Sequence, residues 1–263
     1  MLSNFQSPGD IAFSIFGFHI YYYGIILSFA IFVGFFSAYK LYKNFYYNEN
    51  ARYIIDFSPL LILIGIIGAR IYYCILNSSY YMSNIAEIFN IRQGGLSVHG
   101  MIIAGITALF VFSRKYKMSF RKLSDVFLCS SILAQSIGRW GNFFNSEAFG
   151  LPTDLPWKLY IPISHRPFQF ISNEYFHPTF LYESILDLLI FIILFSLFKK
   201  CSKTPGVISC LYLILYSIVR IFVEQIRIDS VASILGFPVA QVISACLIIC
   251  GTSFLLYLLK KAN

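Results

Sequence analysis

Apolar runs long enough to cross a bilayer recur along the whole chain and are separated by short polar segments. A transmembrane helix needs roughly 20 consecutive, mostly apolar residues. The runs of about that length are Tyr22–Tyr39, Ile54–Leu76, Leu96–Ser113, Leu123–Phe143, Phe180–Phe198, Val207–Val223 and Val239–Leu259. The pattern predicts an all-α polytopic membrane protein with about seven transmembrane helices.

The segment between the fourth and fifth runs, from about residue 145 to 176, has almost no helical periodicity. Its prolines are Pro152, Pro156, Pro162 and Pro167. Because proline fixes φ and removes a backbone donor, we expect an irregular external cap here. The apolar stretch at residues 10–20 is too short to span and is expected at the outer membrane interface. We expect residues 1–263 to form a single integral membrane domain with the cap inserted.

Basic residues are distributed unevenly between the two sides of this seven-helix arrangement. The first 39 residues contain no lysine or arginine, whereas most of the 20 basic residues fall in alternate loops. Those residues are Lys40, Lys43, Arg52, Arg114, Lys115, Lys117, Arg121, Lys122, Lys199, Lys200, Lys203, Lys260 and Lys261. Positive charge favours the cytoplasmic side, so the N-terminus is predicted outside and the C-terminus in the cytoplasm. The net charge of +8 is then mostly membrane-anchoring charge, and no nucleic-acid partner is expected.

The composition excludes an ordinary soluble protein and gives no indication of metal chemistry. Only 12% of the residues are charged and 58% are hydrophobic, whereas soluble domains carry about 25% charged residues. The six cysteines include no CxxC pair, so they are interpreted as apolar packing residues. We expect no metal site.

Several polar residues lie within the predicted spans, where they are costly. An arginine or aspartate at the centre of a spanning helix costs about 2.5–3.5 kcal/mol on insertion scales, so a cluster of them indicates function. Arranged along the chain they are Arg70, His99, Arg139, Asn142, His177, Glu183, Arg220, Glu224 and Arg227. Nearly all are predicted in the outer half of a span or at its outer end.

The stretch RIFVEQIR at residues 220–227 places three charges on one helix face. Arg220, Glu224 and Arg227 are spaced i, i+4 and i+7, which forms one stripe. One interpretation is a structural ion pair that holds helices together. The other is an anion site, since the planar donors of arginine fit phosphate oxygens such as those of a lipid headgroup.

The stretch GRWGNFFNSEAFG at residues 138–150 is the most polar part of the fourth apolar run and its exit. Arg139 and Asn142 are spaced i, i+3 and share a face, and its glycines allow another backbone or an acyl chain to approach closely. Asn145 and Glu147 follow where the helix should leave the membrane. A chance helix terminus does not readily explain the whole set.

His99 is the candidate base. It lies in GGLSVHGMIIAG, near the outer start of the third run. A single histidine on an apolar face is most often a hydrogen-bonded core residue, but an imidazole can also accept a proton near neutral pH. His177, directly before Pro178, is a cap residue or part of the site. Since no nucleophile motif is present, a transfer reaction between two substrates fits best.

These motifs resemble the signature of the bacterial phosphatidylglycerol–prolipoprotein diacylglyceryl transferases, G-R-x-G-N-F-x-N-x-E-x-x-G. The matching positions are Gly138, Arg139, Gly141, Asn142, Phe143, Asn145, Glu147 and Gly150. The segments YYG, GAR, GGLSVHG, LPTDLPW, HPTFLYES and RIFVEQIR also agree in order and spacing. The sequence departs from the family pattern at Arg92, Gln93, Met101 and Ala104, which affects the surroundings of His99.

The resemblance implies transfer of the diacylglyceryl group of phosphatidylglycerol to the lipobox cysteine of a prolipoprotein signal peptide. A thioether forms and glycerol phosphate is released. The resemblance also implies an inner-membrane enzyme with a periplasmic or external active site and no cofactor. The other candidate function is a lipid or small-anion transporter using the same arginines, although the internal repeat typical of transporters is not evident.

As a hypothesis for this chemistry, Arg139 and Arg220 hold the lipid phosphate, and Glu224 and Asn142 orient them, with Arg227 as a further partner. His99 takes the thiol proton. The alternative is that the arginine-rich pocket itself lowers the thiol pKa and that His99 only positions a substrate. The remaining expected lipid-pocket residues are Tyr23, Asn145 and Glu147.

Overall fold

Long helices make up most of the computed structural model, which describes residues 5–47, 49–91, 94–228, 233–234 and 236–262. Each predicted apolar run corresponds to one of them. The long helices are α1 (Tyr22–Phe45), α2 (Arg52–Leu76), α4 (Val98–Lys115), α5 (Phe120–Phe144), α6 (Thr179–Cys201), α7 (Val207–Glu224) and α8 (Val239–Ala262), and the short helix α3 is Ser78–Ser83.

Within the described residues, six helices are long and apolar enough to cross a membrane: α1, α2, α4, α6, α7 and α8. The chain is therefore mostly helical, with the elements expected of a multi-pass membrane protein. Helix α5 has a sufficient 25 residues but carries more polar and charged side chains than the other six. Its crossing of the membrane, which would make seven spans, stays a prediction.

The chain divides into two compact units. One consists of Met1–Ala38 and Asp125–Asn263, and the other of Tyr39–Ser124. The two boundaries fall within α1 and α5. A single domain therefore stays a prediction, and each unit has its own packing.

In the unit of residues 39–124, α2 and α4 pack closely because small residues face each other. A Cβ added to Gly68 would overlap the Cβ of Ala104, and one added to Gly100 would overlap the carbonyl oxygen of Gly68. Close backbone approach of this kind is typical of small residues at helix contacts in membranes. Further along the pair, the rings of Phe57 and Phe112 stack with centroids 3.9 Å apart.

In the other unit, Asp125 of α5 caps the start of α7. It is fully buried, and its carboxylate accepts hydrogen bonds from the amides of Gly206 (2.7 Å) and Ser209 (2.8 Å) and from the Ser209 hydroxyl (2.6 Å). Gly206 adopts φ = +107°, which favours glycine. A carboxylate at a helix N-terminus pairs with otherwise unsatisfied amides, so this contact fixes α7 against α5.

The segment between α5 and α6 is mostly irregular, but it has a small core of its own. The strands β3 (Leu159–Tyr160) and β4 (Tyr175–Phe176) pair antiparallel, and two short 3₁₀ turns lie between them. The buried side chains of this core are Ala148, Phe149, Leu159, Ile161, Phe176 and Phe180. The core packs the cap onto the first turn of α6.

Before α1 the chain forms a hairpin of β1 (Ile11–Ile15) and β2 (Phe18–Tyr21). Its turn has positive φ at Phe16 (49°) and Gly17 (82°), as two-residue hairpin turns require. The position of this stretch at the membrane interface stays a prediction. A third pair, β5 (Ser233–Ile234) and β6 (Phe237–Pro238), leads into α8.

Candidate active site

Three arginines from separate parts of the chain converge on one buried carboxylate, Glu183 of α6. Glu183 is 3% exposed. Its Oε1 accepts from Nη1 of Arg220 (3.0 Å) and Nη1 of Arg227 (2.9 Å), and its Oε2 pairs with Nη2 of Arg139. These contacts join α5, α6, α7 and the turn after α7. In this low-dielectric setting charge pairing is strong, so Glu183 determines where the three guanidinium groups lie.

Glu224 is the second carboxylate of this arginine cluster. Its Oε2 lies 2.6 Å from Nη2 of Arg220, as the i, i+4 spacing predicts. The guanidinium group of Arg220 therefore contacts Glu183 through Nη1 and Glu224 through Nη2. Within the described residues, three guanidinium groups converge on these two carboxylates, and such a concentration of arginine donors favours an anion.

Asn142, Asn145 and Glu147 form a separate polar group at the exit of α5. The Asn142 amide donates to Oε1 of Glu147 at 2.8 Å, and the Asn145 amide donates to the same oxygen at 3.3 Å. Ser146 and Ala148 have φ near +50°, and this sharp turn brings Glu147 back over the helix end. The Asn142 amide nitrogen is thus directed to Glu147, and the role of Asn142 in orienting the arginines stays a prediction.

Tyr23 of α1 lies against Gly141 of α5. A Cβ added to Gly141 would be 2.7 Å from Cδ2 of Tyr23, so only glycine leaves room for the ring. Beside it, Tyr22 and Phe144 stack with centroids 4.2 Å apart. A Cβ added to Gly138, one turn earlier, would have no neighbouring atom within 4 Å. The two glycines therefore differ in packing. Gly141 makes room for the Tyr23 ring, and Gly138 borders open space.

An apolar groove of about 370 Å³ lies between helices that include those carrying Arg139 and Glu183. It is lined by side chains of α1, α5 and α6, including Trp140 and Ser184. These two residues are the direct sequence neighbours of Arg139 and Glu183. A charged site that adjoins an apolar groove has the polarity of a phospholipid, with a headgroup at one end and a tail at the other.

His177 holds the cap against α6. Its Nδ1 lies 3.2 Å from the Tyr182 hydroxyl, which also accepts a hydrogen bond from Nε1 of Trp157 at 2.8 Å. Its backbone carbonyl accepts from the amide of Gly150 at 2.9 Å. Partial burial lowers the pKa of His177 below its usual value. These contacts favour the interpretation of His177 as a cap residue.

Arg70 and His99 belong to the unit of residues 39–124. Arg70 is 7% exposed, and its guanidinium donates to backbone carbonyls of the segment that connects α2 to α4. The acceptors are Glu87, Ile88 (2.9 Å), Asn90 (3.1 Å), Gly94 (2.9 Å) and Gly95 (3.0 Å). Arg70 thus fixes the segment that leads into α4.

His99 is the second residue of α4. It is exposed, and its ring centroid lies 6.2 Å from that of Tyr72. The role of His99 as a base stays a prediction. Of the departures from the family pattern, Arg92 and Gln93 lie outside the described residues, whereas Ala104 lies at the close contact with Gly68.

Comparison with known proteins tests the resemblance to this transferase family. The model of the family described as prolipoprotein diacylglyceryl transferase matches residues 10–257 of the chain. The chain belongs to the prolipoprotein diacylglyceryl transferase family.

Relatives named phosphatidylglycerol–prolipoprotein diacylglyceryl transferase align over most of this transferase-family chain. The relative from Synechocystis sp. (strain ATCC 27184 / PCC 6803 / Kazusa) is 44% identical over 98% of this chain and 92% of its own length. The relative from Prochlorococcus marinus (strain MIT 9301) is 44% identical over 85% and 81%. The relative from P. marinus subsp. pastoris (strain CCMP1986 / NIES-2087 / MED4) is 42% identical over 98% and 94%.

Glu183 is the site residue to which the sequence interpretation assigned no role. It was recognisable as a polar residue in a predicted span, within the stretch HPTFLYES, but its partners are distant in sequence. Arg139 and Arg220 do share one site as expected, and Arg227 joins them through Glu183. The structure thus adds the residue that brings the arginines together.

The two glycines of α5 provide a matched test of the Tyr23 contact. We expect Gly141→Ala to displace the Tyr23 ring and to lower the free energy of unfolding by about 1–3 kcal/mol, as overpacking does. Gly138→Ala enters open space and should be neutral, or stabilising by up to about 1 kcal/mol through helix propensity. Thermal unfolding of both variants in detergent measures the difference. Equal melting temperatures for the two variants would contradict the contact.

Proposed function

We propose that this protein transfers the diacylglyceryl group of phosphatidylglycerol to the cysteine thiol in the lipobox of a prolipoprotein. The observation that carries the proposal is the convergence of three arginines on the buried Glu183, in a chain of this transferase family. The relatives' names supply the donor lipid and the acceptor protein.

The reaction makes one bond and breaks one. The thiol sulfur attacks the glyceryl carbon that carries the phosphate, a C–S bond forms, and the C–O bond to the phosphate breaks. The thiol loses its proton, and glycerol phosphate leaves with the bonding electrons. Negative charge therefore grows on the phosphate oxygens in the transition state, which is where fixed positive groups lower the barrier.

Arg139 and Arg220 are the residues assigned to the phosphate. Both guanidinium groups are held by Glu183, and Arg220 is held in addition by Glu224. A site that is already oriented does not have to reorganise as charge develops. Arg227 supplies the third positive group through the same carboxylate.

The lipid lies with its headgroup at the arginine cluster and one acyl chain in the apolar groove. This placement is supported by Trp140 and Ser184, which line the groove and are the sequence neighbours of Arg139 and Glu183. Tyr23 and the group of Asn142, Asn145 and Glu147 border the headgroup at the exit of α5. Polar groups that surround the headgroup and an apolar surface along the tail supply both specificity and affinity.

Proton removal from the thiol is assigned to His99, which has an exposed ring at the start of α4. The other route is that the positive cluster lowers the thiol pKa, since nearby cations favour the thiolate.

The site faces the external side of the bacterial inner membrane, with seven spans, an outside N-terminus and a cytoplasmic C-terminus. The cap between α5 and α6 lies on that external side.

A lipid or small-anion transporter is the alternative from another functional class. It would use the same arginines to bind phosphatidylglycerol but would leave the lipid intact. Purified protein incubated with phosphatidylglycerol and a lipobox peptide separates the two. Loss of the free thiol together with release of glycerol phosphate supports the transferase, and lipid movement without covalent change supports the transporter.

Replacing the phosphate-holding arginines should abolish most of the transfer. We expect Arg139→Gln and Arg220→Gln each to lower kcat by about 10²–10³, the usual effect of losing one group that stabilises transition-state charge. The matched control is Arg121→Gln at the exposed start of α5, which should retain wild-type kcat. Thioether formation on the peptide, followed by mass spectrometry, gives the rates. Wild-type kcat in either active-site variant would contradict the assignment.

The pH dependence of thiol lipidation tests His99. If His99 is the base, the reaction needs its neutral imidazole, so the wild-type rate rises with pH. His99→Gln should lower the rate by about 10²–10⁴ and remove that rise. An unchanged rate and pH profile in the variant would leave the arginine cluster as the means of thiol activation.

A further inference from the structure

Glu183 already occupies the arginine cluster in the way a bound anion would. Both of its oxygens are in contact with guanidinium groups, from α5, from α7 and from the turn after α7. An incoming phosphate has to share or take over these donors, because they are the ones that converge at this point. Nearby acidic groups are Glu224 on α7 and Asp187, one turn further along α6 and fully buried.

The proposed reaction forms a product that the arginine cluster would hold more tightly than the substrate. The phosphodiester of phosphatidylglycerol carries one negative charge, whereas a released phosphate monoester carries up to two near neutral pH, since its second pKa is about 6. Arginine pairs strongly with such oxygens. Three arginines without an internal counter-charge would therefore bind the product more tightly than the substrate, and release of the product would limit turnover.

We propose that Glu183 acts as an internal competitor for the arginines and so promotes release of glycerol phosphate. It is a positioning residue that holds Arg139, Arg220 and Arg227 in the empty site, yields part of these contacts to the phosphate, and re-forms its three ion pairs as the product leaves. No covalent step involves Glu183. The inference rests on the proposed function, because that reaction identifies the released anion as glycerol phosphate.

Its position favours Glu183 over Glu224 for this role. Glu224 pairs with Arg220 of its own helix, so the two residues move together. Glu183 approaches from α6 and bridges arginines of three different segments. Re-forming those contacts displaces an anion from all three at once, whereas re-forming the Glu224 pair involves a single helix.

The test is the affinity for glycerol phosphate after Glu183→Gln, which keeps the side-chain shape and removes the charge. We expect the inhibition constant of glycerol phosphate to fall by about tenfold, in line with the coupling of close charge pairs. We expect kcat to fall as product release slows. A purely structural role predicts the opposite, namely weaker binding of product and substrate, because the arginines would be disordered.

Glu174→Gln is the matched control, since it makes the same chemical change at an exposed position of the cap. In the described part of the chain Glu174 forms no ion pair with an arginine. Its inhibition constant should stay within about twofold of the wild-type value. An equal tightening in both variants would indicate a general charge effect and would overturn the specific role of Glu183.

Thermal unfolding with and without glycerol phosphate measures folding and binding in one experiment. The melting temperature without ligand reports folding, and its rise with ligand reports binding. At a fixed ligand concentration, a ligand that binds the folded state raises the melting temperature more when its affinity is higher, so a larger rise for Glu183→Gln supports the inference even without turnover. An equal or smaller rise overturns it. If Glu183→Gln does not fold, Glu183→Asp replaces it; the shorter carboxylate cannot reach all three arginines, and an unchanged or smaller rise would again overturn the inference.

The proposed function fails separately. It fails if the wild-type protein forms no thioether on the peptide, and that result leaves the comparison of anion affinities intact. The competitor role fails if the wild-type protein is active and the loss of the Glu183 charge does not tighten glycerol phosphate binding.

Discussion

The constraint on which this site depends is the cost of unpaired charge in an apolar helical bundle. Three guanidinium groups cannot lie together there without an anion, and removing one partner of a buried ion pair typically costs about 3–5 kcal/mol. Glu183 supplies that anion from α6. Its ion pairs link α5, α6 and α7 and leave arginine donors converging at one point.

The surroundings of this charged centre are partly apolar. An apolar groove lies between α1, α5 and α6, and Tyr23 of α1 packs onto Gly141 of α5. At the exit of α5, Glu147 is held by two asparagine amides, and the cap packs onto the start of α6 through its own core. The same helices thus carry a charged centre and an apolar groove, which is the polarity that the proposed phospholipid substrate requires.

The helices could be predicted from the sequence because apolar runs of bilayer length leave few alternatives. The pairing of Arg220 with Glu224 could also be predicted, since it is local to one helix. The convergence on Glu183 could not, because it joins residues far apart in sequence, and neither could the direction of the Asn142 amide toward Glu147. Arg70 shows the same limit: as a buried arginine it suggested the active site, but its donors hold backbone carbonyls of a nearby loop.

The most direct measurement of the central claim is the contact between lipid phosphorus and arginine nitrogen in the membrane. Solid-state NMR recoupling between ³¹P of bound phosphatidylglycerol and ¹⁵N of labelled arginine reports that contact, and Arg139→Lys and Arg220→Lys assign the signals. The account predicts phosphorus couplings to guanidinium nitrogens of both residues, each lost in the corresponding variant. An actively transferring protein whose lipid phosphorus couples to neither guanidinium group would contradict it.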